Sequence, residues 1–149
     1  MGETGVEAIK LEDGYVAFAG TSVREVVTLT SNQSSATVVL KLGPKAGVLL
    51  PTVKDKYTGE PLTTFHVEWL IINEEQNGTH SGGDNVTPWS RRAIVPPGKW
   101  FVLTISAKGY KSWLYHDPSD PSRPAFIRLQ SGEEKELLVE LEPQAPAAR

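Results

Sequence analysis

The chain contains no cysteine among its 149 residues, and this absence excludes several kinds of chemistry at once. Without thiols there is no disulfide, no thiolate nucleophile and no zinc site built on cysteine. A chain without cysteine is compatible with the cytoplasm and with export, so the absence does not assign a compartment.

The chain also carries little net charge, since its 15 basic and 18 acidic side chains leave a formal net charge of −3. The basic residues form no run, so we expect no surface that follows a nucleic-acid backbone. No stretch approaches the roughly 20 apolar residues that span a bilayer, which predicts no membrane insertion. Residues 1–10 lack the apolar run of a signal peptide, so export would require a leader before Met1.

The sequence also lacks the usual catalytic and metal-binding patterns. His66, His80 and His116 have no ligand-like spacing, and no nucleophilic-serine motif occurs. Asp117 and Asp120 lie in a Pro-rich stretch without the spacing of a calcium-binding loop. We therefore predict no enzyme activity, no cofactor and no resident metal ion.

What the chain does contain is short apolar runs, separated by many of its 13 glycines and 11 prolines. Period-two alternation predicts strands, because successive strand side chains point to opposite faces. Such strands are predicted over 38–42, 65–72 and 136–141, and the nearly continuous apolar run over 100–105 predicts a central strand covered on both sides. No helical periodicity of useful length competes with them, so the predicted fold class is all-β, an antiparallel β-sandwich.

Glycine- and proline-containing connections separate these runs. Tight turns are predicted over 55–61, 96–99, 107–110 and 131–134. Two longer loops are predicted over 73–88 and 115–124, and long ordered loops commonly have functional roles. Because successive strands reverse direction, we expect these two loops at opposite ends of the sandwich.

The chain also contains an internal repeat. A strand–turn–strand pattern over 27–44 recurs over 127–143, each copy closing on a proline and preceded by a Gly-Tyr pair. We therefore predict an N-terminal β segment (1–44), a complete unit (45–143) and a linker-like tail (144–149). Half a unit exposes unpaired strand edges, so we predict that the N-terminal segment packs on the complete unit.

Residues 45–143 resemble the carboxypeptidase regulatory-like domain, through motifs that follow that family's order. These motifs occupy 46–55, 58–62, 96–100, 106–110 and 129–133. The resemblance implies a transthyretin-like (prealbumin-like) sandwich with Ig-like Greek-key architecture, here with extra N-terminal strands. It also implies an accessory module of exported or envelope proteins, without peptidase activity. The chain departs from the family's pattern at Leu50-Pro51 and over 73–92.

Four aromatic residues outside the core patterns are the candidate ligand-binding residues, Trp89 on its own and Tyr110, Trp113 and Tyr115 as a separate group. They lie beside the two predicted loops, where an exposed aromatic face would stack on a sugar ring. The alternative is that these side chains cover the ends and edges of the sandwich. Trp69 and Trp100 lie within strand patterns and are predicted core residues.

Three functions follow from these observations. The leading hypothesis is a non-catalytic structural or interaction module of a larger exported bacterial protein, outside the cell or in its envelope. Its partners would be other domains of the same polypeptide. The alternative is a carbohydrate-binding module that binds a glycan through Trp89 or through the group of Tyr110, Trp113 and Tyr115. A transthyretin-like hydrolase comes third, because the histidine-rich cluster of such enzymes is missing from this sequence.

Overall fold

The computed structural model describes residues 2–7, 24–33, 35–40, 42–73 and 78–145. Across these residues it contains strands and turns but no α-helix, which confirms the predicted all-β class. Consequently, no helix in this part of the chain is long and apolar enough to cross a membrane. The chain forms two compact units, Met1–Ala46 and Gly47–Arg149.

The first unit contains a two-stranded antiparallel sheet, in which β1 (Gly2–Glu7) pairs with β2 (Arg24–Leu29). The strand predicted over 38–42 is wrong, because the described residues of 35–46 form no strand and Val39 is 84% exposed. A strand needs a neighbour to satisfy its backbone N–H and C=O groups, and alternation alone does not supply one. The predicted packing of this segment on the rest of the chain stays a prediction.

The described residues of the second unit form ten strands. They are β3 (Gly47–Asp55), β4 (Pro61–Leu62), β5 (Phe65–Asn73), β6 (Gly78–Val86), β7 (Ala93–Val95), β8 (Val102–Ser106), β9 (Trp113–Leu114), β10 (His116–Asp117), β11 (Asp120–Pro124) and β12 (Glu134–Leu141). Eight of them make two four-stranded sheets, and β10 and β11 pair separately as a hairpin. The two sheets form the predicted sandwich.

Sheet I is centred on β3. One edge of β3 pairs in parallel with β12 over eight residue pairs, from Val48 with Glu134 to Asp55 with Leu141. The other edge pairs antiparallel with β7 near the start of β3 and with β4 near its end. Pro51 lies between these two partners, where the edge of β3 needs no N–H donor. The proline that departs from the family's pattern therefore fits this central strand.

Sheet II has the order β6-β5-β8-β9, with antiparallel neighbours throughout. The long loop predicted over 73–88 is wrong, because β6 pairs with β5 through nine residue pairs. Its small polar residues show no apolar alternation, so the strand is recognisable only from its partner. The loop predicted over 115–124 is wrong as well, since most of it is the hairpin of β10 and β11. The expected placement of two loops at opposite ends therefore no longer applies.

The core fills the space between the two sheets. Phe101, Leu103 and Ile105 alternate towards the interior and are fully buried. Trp69 on β5 is also buried, as predicted. The prediction for Trp100 is wrong: it is 58% exposed, because Phe101 points inward and its neighbour in extended backbone must point outward.

Candidate functional site

The four predicted aromatic residues lie in different parts of the second unit. Trp113 on β9 and Tyr115 just after it meet edge to face, with ring centroids 6.1 Å apart and an interplanar angle of 83°. Trp113 meets His116 in the same way, at 6.0 Å and 79°. Because these half-buried rings lie across one another, they do not present one flat surface to a sugar ring.

Trp89 is separate from this group and is 95% exposed. It lies in the turn between β6 and β7, where Thr87 and Ser90 exchange backbone hydrogen bonds of 3.1 Å. The Thr87 hydroxyl also accepts hydrogen bonds from the N–H groups of Trp89 and Ser90, at 3.3 and 3.2 Å. An ordered turn therefore holds the indole in solvent. Thr87 and Pro88 also line a small groove of about 260 Å³.

Tyr110 has a structural partner. Its hydroxyl donates to Oδ2 of Asp55 at 3.0 Å, across 55 residues of sequence. Asp55 is 7% exposed and is the one buried charged residue of the described chain. Its other oxygen, Oδ1, accepts from the N–H groups of Tyr57 and Thr58 at 2.8 and 2.9 Å. The Tyr110 hydroxyl therefore stabilises the turn after β3 through a hydrogen bond within the protein.

Both members of this pair have shifted pKa values. Hydrogen bonds from the backbone N–H groups of Thr58 and then Tyr57 lower the pKa of Asp55, because they stabilise its charged form. Donation to Asp55 raises the pKa of Tyr110, since ionised tyrosine would lose that bond and face the carboxylate. At neutral pH the pair is a carboxylate held by three donors.

A second polar group lies at the same end of sheet I. The Glu142 carboxylate accepts from Nζ of Lys111 at 2.5 Å and from Nζ of Lys56 at 3.4 Å. The hydrogen bond from Lys111 and then that from Lys56 lower the pKa of Glu142, and the same carboxylate raises the pKa of Lys111. These charges connect the exit of β12 to the segments that follow β3 and β8.

An open groove of about 660 Å³ lies between the end of β12 and the region of β9 to β11. Its lining includes Trp113, His116 and Leu138, together with Lys56 and Lys111. Nδ1 of His116 is buried without a hydrogen-bond partner, the one such side-chain atom among the described residues. The groove thus combines apolar side chains with a charged rim.

The aromatic face, a surface that the sequence prediction missed, lies on the outer side of sheet II and contains Trp100, Phe126 and Arg128. Phe101 and Ile127 exchange backbone hydrogen bonds of 3.0 and 2.9 Å, and both side chains are buried. Their neighbours therefore point outward, where the Arg128 guanidinium lies 5.8 Å from the Trp100 ring centroid. Phe126 follows on the same side and is 53% exposed.

Strand β5 extends this apolar surface. Leu70 pairs with Val102 of β8, so Ile72, two residues further along β5, lies on the same side of the sheet and is half exposed. The outward side of β5 begins with polar residues and turns apolar at Leu70. That change along one strand is the sequence signal that would have located the aromatic face.

The described residues contain no group of three or more histidine, aspartate or glutamate side chains close enough to hold a metal ion. Asp117 accepts from the backbone N–H and hydroxyl of Ser119, and Asp120 accepts in the same way from Ser122. Each carboxylate is thus engaged in its own turn. In comparisons with known proteins, no family model and no curated sequence matches this chain.

Proposed function

We propose that the chain is a non-catalytic structural module that links and spaces parts of a larger exported bacterial protein. The observation that supports this most directly is the parallel pairing of β3 with β12. Since the unit's first and last strands run side by side in one direction, the chain enters and leaves at opposite ends. At roughly 3.3 Å per residue, the eight residues of β12 separate entry from exit by about 26 Å.

The distribution of polar contacts supports the same function. Asp55, Glu142 and their partners are engaged in joining chain segments around the exit of the unit. The resemblance of residues 45–143 to carboxypeptidase regulatory-like domains adds the transthyretin-like topology and the extracellular or envelope location to the proposal. Other domains of the same polypeptide are the proposed partners.

The spacing function is tested by a distance measurement between two spin labels. The chain has no cysteine, so Pro44→Cys and Gln144→Cys introduce unique labelling sites near the entry and the exit. We expect a narrow distribution at about 25 Å or more. Thr58→Cys with Gln144→Cys is the control and should give a clearly shorter distance, because Asp55 pairs with Leu141 at the exit. A broad or short distribution for the first pair would contradict the proposal.

The location is tested in the source bacterium. An antibody raised against this chain should label intact cells, or detect the protein in the periplasmic fraction or the medium. Recovery from the cytosolic fraction alone would show that the protein is not exported.

A second candidate function, binding of a glycan, is favoured by the aromatic face. Trp100 and Phe126 are both exposed on one side of sheet II, and Arg128 supplies hydrogen-bond donors beside them. Tryptophan fluorescence titrated with a panel of polysaccharides tests this candidate. A response that Trp100→Ala abolishes and Trp89→Ala retains would assign it to the aromatic face. No response to any glycan would reject it.

A further inference from the structure

We propose that the β3–β12 ladder is a mechanical clamp, which allows the second unit to bear tension along the polypeptide. The inference rests on the proposed function, because tension reaches this unit only if it joins two parts of a larger protein. It adds a property that a spacer alone does not require, namely resistance to being pulled apart through its two ends.

The direction of loading follows from the strand order. Tension along the chain pulls β3 from Gly47 and pulls β12 from Leu141, in opposite directions. Because the strands are parallel neighbours, these pulls make the strands slide along each other. The hydrogen bonds lie across the strands, so sliding strains the whole eight-pair ladder together. A ladder opened from one end loses its bonds one after another and yields at a lower force.

Backbone hydrogen bonds close the ladder at both ends. At the entry, the N–H of Val48 donates to the carbonyl of Glu133 at 2.8 Å. At the exit, the N–H of Lys56 donates to the carbonyl of Leu141 at 2.9 Å. The first bonds to be strained therefore have near-ideal length, and neither end of the ladder is frayed.

Further contacts fasten the chain just beyond β12. The N–H of Lys111 donates to the carbonyl of Glu142, and the N–H of Gln144 donates to the carbonyl of Gly109, both at 2.8 Å. The Glu142 side chain is held at the same time by Lys111 and Lys56. Tension on the exit must therefore also shear this short antiparallel pair.

The ladder is shielded from water on its inner face. Val53, Val139 and Leu141 are fully buried there, so water has poor access to replace a strained backbone hydrogen bond. On the outer face, Lys54 and Glu140 form a cross-strand ion pair of 3.0 Å. This exposed pair adds little to the clamp compared with the backbone ladder.

Single-molecule force spectroscopy on the full chain tests the clamp. Pro44→Cys with Gln144→Cys loads the β3–β12 ladder in shear, as the natural chain ends would. Thr64→Cys with Pro88→Cys is the control: it pulls the edge strand β6 from β5 starting at the Phe65–Val86 pair. We expect a several-fold higher unfolding force for the first geometry at the same pulling speed. Equal forces would overturn the inference.

A matched pair of proline variants, each in the Pro44→Cys/Gln144→Cys background, identifies the ladder as the source of the resistance. The carbonyls of Glu133 and Leu141 point to β3. Because the backbone groups of alternate residues point to the same side of a strand, the N–H of Leu137 also points to β3. The N–H of Leu138 points away from β3. Leu137→Pro should lower the unfolding force markedly, while Leu138→Pro should leave most of it. Equal losses in both variants would contradict the ladder assignment.

The outcomes for the two proposals are separable. Equal forces in the two pulling geometries, with a narrow label distance between positions 44 and 144, would remove the clamp and leave the spacer. A broad distance distribution would remove the spacer itself. If Leu137→Pro fails to fold, the comparison of the two pulling geometries still tests the clamp, because both cysteine pairs leave the sequence of β12 unchanged.

Discussion

Asp55 is the residue on which the polar chemistry of this domain concentrates. Its carboxylate is buried at the end of β3 and receives two backbone N–H groups and the Tyr110 hydroxyl. A buried carboxylate is tolerated only when hydrogen bonds replace its lost hydration. The arrangement therefore joins the turn after β3 to the turn after β8, at the end of the sandwich where the chain leaves.

Tyr110→Phe removes one donor to Asp55 while keeping the aromatic ring. We expect a lower urea midpoint of unfolding with an unchanged slope, because a buried carboxylate oxygen loses a partner. Tyr57→Phe is the control, since that side chain is mostly exposed and should leave the midpoint unchanged. If the two variants behave alike, the Tyr110 hydroxyl has no structural role.

The pH dependence of stability should report on Asp55. Its pKa is lowered in the folded protein, so it binds fewer protons than in the unfolded chain. The contribution of Asp55 to the free energy of unfolding is fully present above its pKa in the unfolded chain, about 4. It is lost as the pH falls through the lower pKa of Asp55 in the folded protein.

Comparing Asp55→Asn with the wild-type chain isolates this contribution, because the other carboxylates are common to both. We expect the stability difference measured by urea unfolding to be largest near pH 7 and to shrink below pH about 4. A difference that stays constant down to pH about 3 would contradict the assigned pKa shift.

At the scale of elements, β6 shows how a strand whose only large apolar residue is its last one, Val86, is accommodated. A β-carbon added at Gly82 would lie 2.4 Å from Cζ2 of Trp69, which faces it on β5. The glycine therefore leaves the space that the buried indole occupies. The local sequence of β6 is permissive, and the large side chain of its neighbour determines which residue fits.

Gly82→Ala should consequently destabilise the protein by about 1–3 kcal/mol, as expected for overpacking. This sign is opposite to the gain that replacing a strand glycine by alanine gives where space allows. Urea unfolding measures the stability, and the Trp69 environment should change in near-ultraviolet circular dichroism. Ser81→Ala, at an exposed neighbouring position, should remain within about 0.5 kcal/mol of the wild type. Equal effects at both positions would rule out the steric explanation.

At the scale of the whole molecule, the two units are very unequal. Among the residues that the structure describes, the first unit contains the two-stranded sheet of β1 and β2, whereas the second contains two four-stranded sheets and a buried core. A two-stranded sheet in isolation is at best marginally stable in water. The prediction from the sequence is that the N-terminal segment, residues 1–44, depends on packing against the complete unit for its stability.

Truncation tests this dependence. A polypeptide of residues 1–46 should show no cooperative unfolding, and a chain beginning at Pro44 should be less stable than the full chain. The control is a chain that lacks residues 146–149, which belong to the predicted linker and should not contribute. A chain beginning at Pro44 that is as stable as the full protein would show that the N-terminal segment does not pack on the second unit.

The sequence predicted several strands and turns correctly. Alternation identified the strand that buries Val67 and Trp69, because a strand repeats every two residues whatever its partner. The predicted turns near 59 and 109 contain glycines with φ of 73° and 86°, a conformation that side chains disfavour. These features depend on a few neighbouring residues and can therefore be predicted from the sequence.

The all-β class and the strands β5, β8 and β12 were thus determined by the sequence alone. Tertiary structure decided which strands became neighbours, and with them the parallel β3–β12 pair, the strand status of β6 and the outward position of Trp100. The reason is physical. Backbone hydrogen-bonding groups are the same for every residue type except proline, so side-chain patterns show which face is buried but do not identify the partner strand.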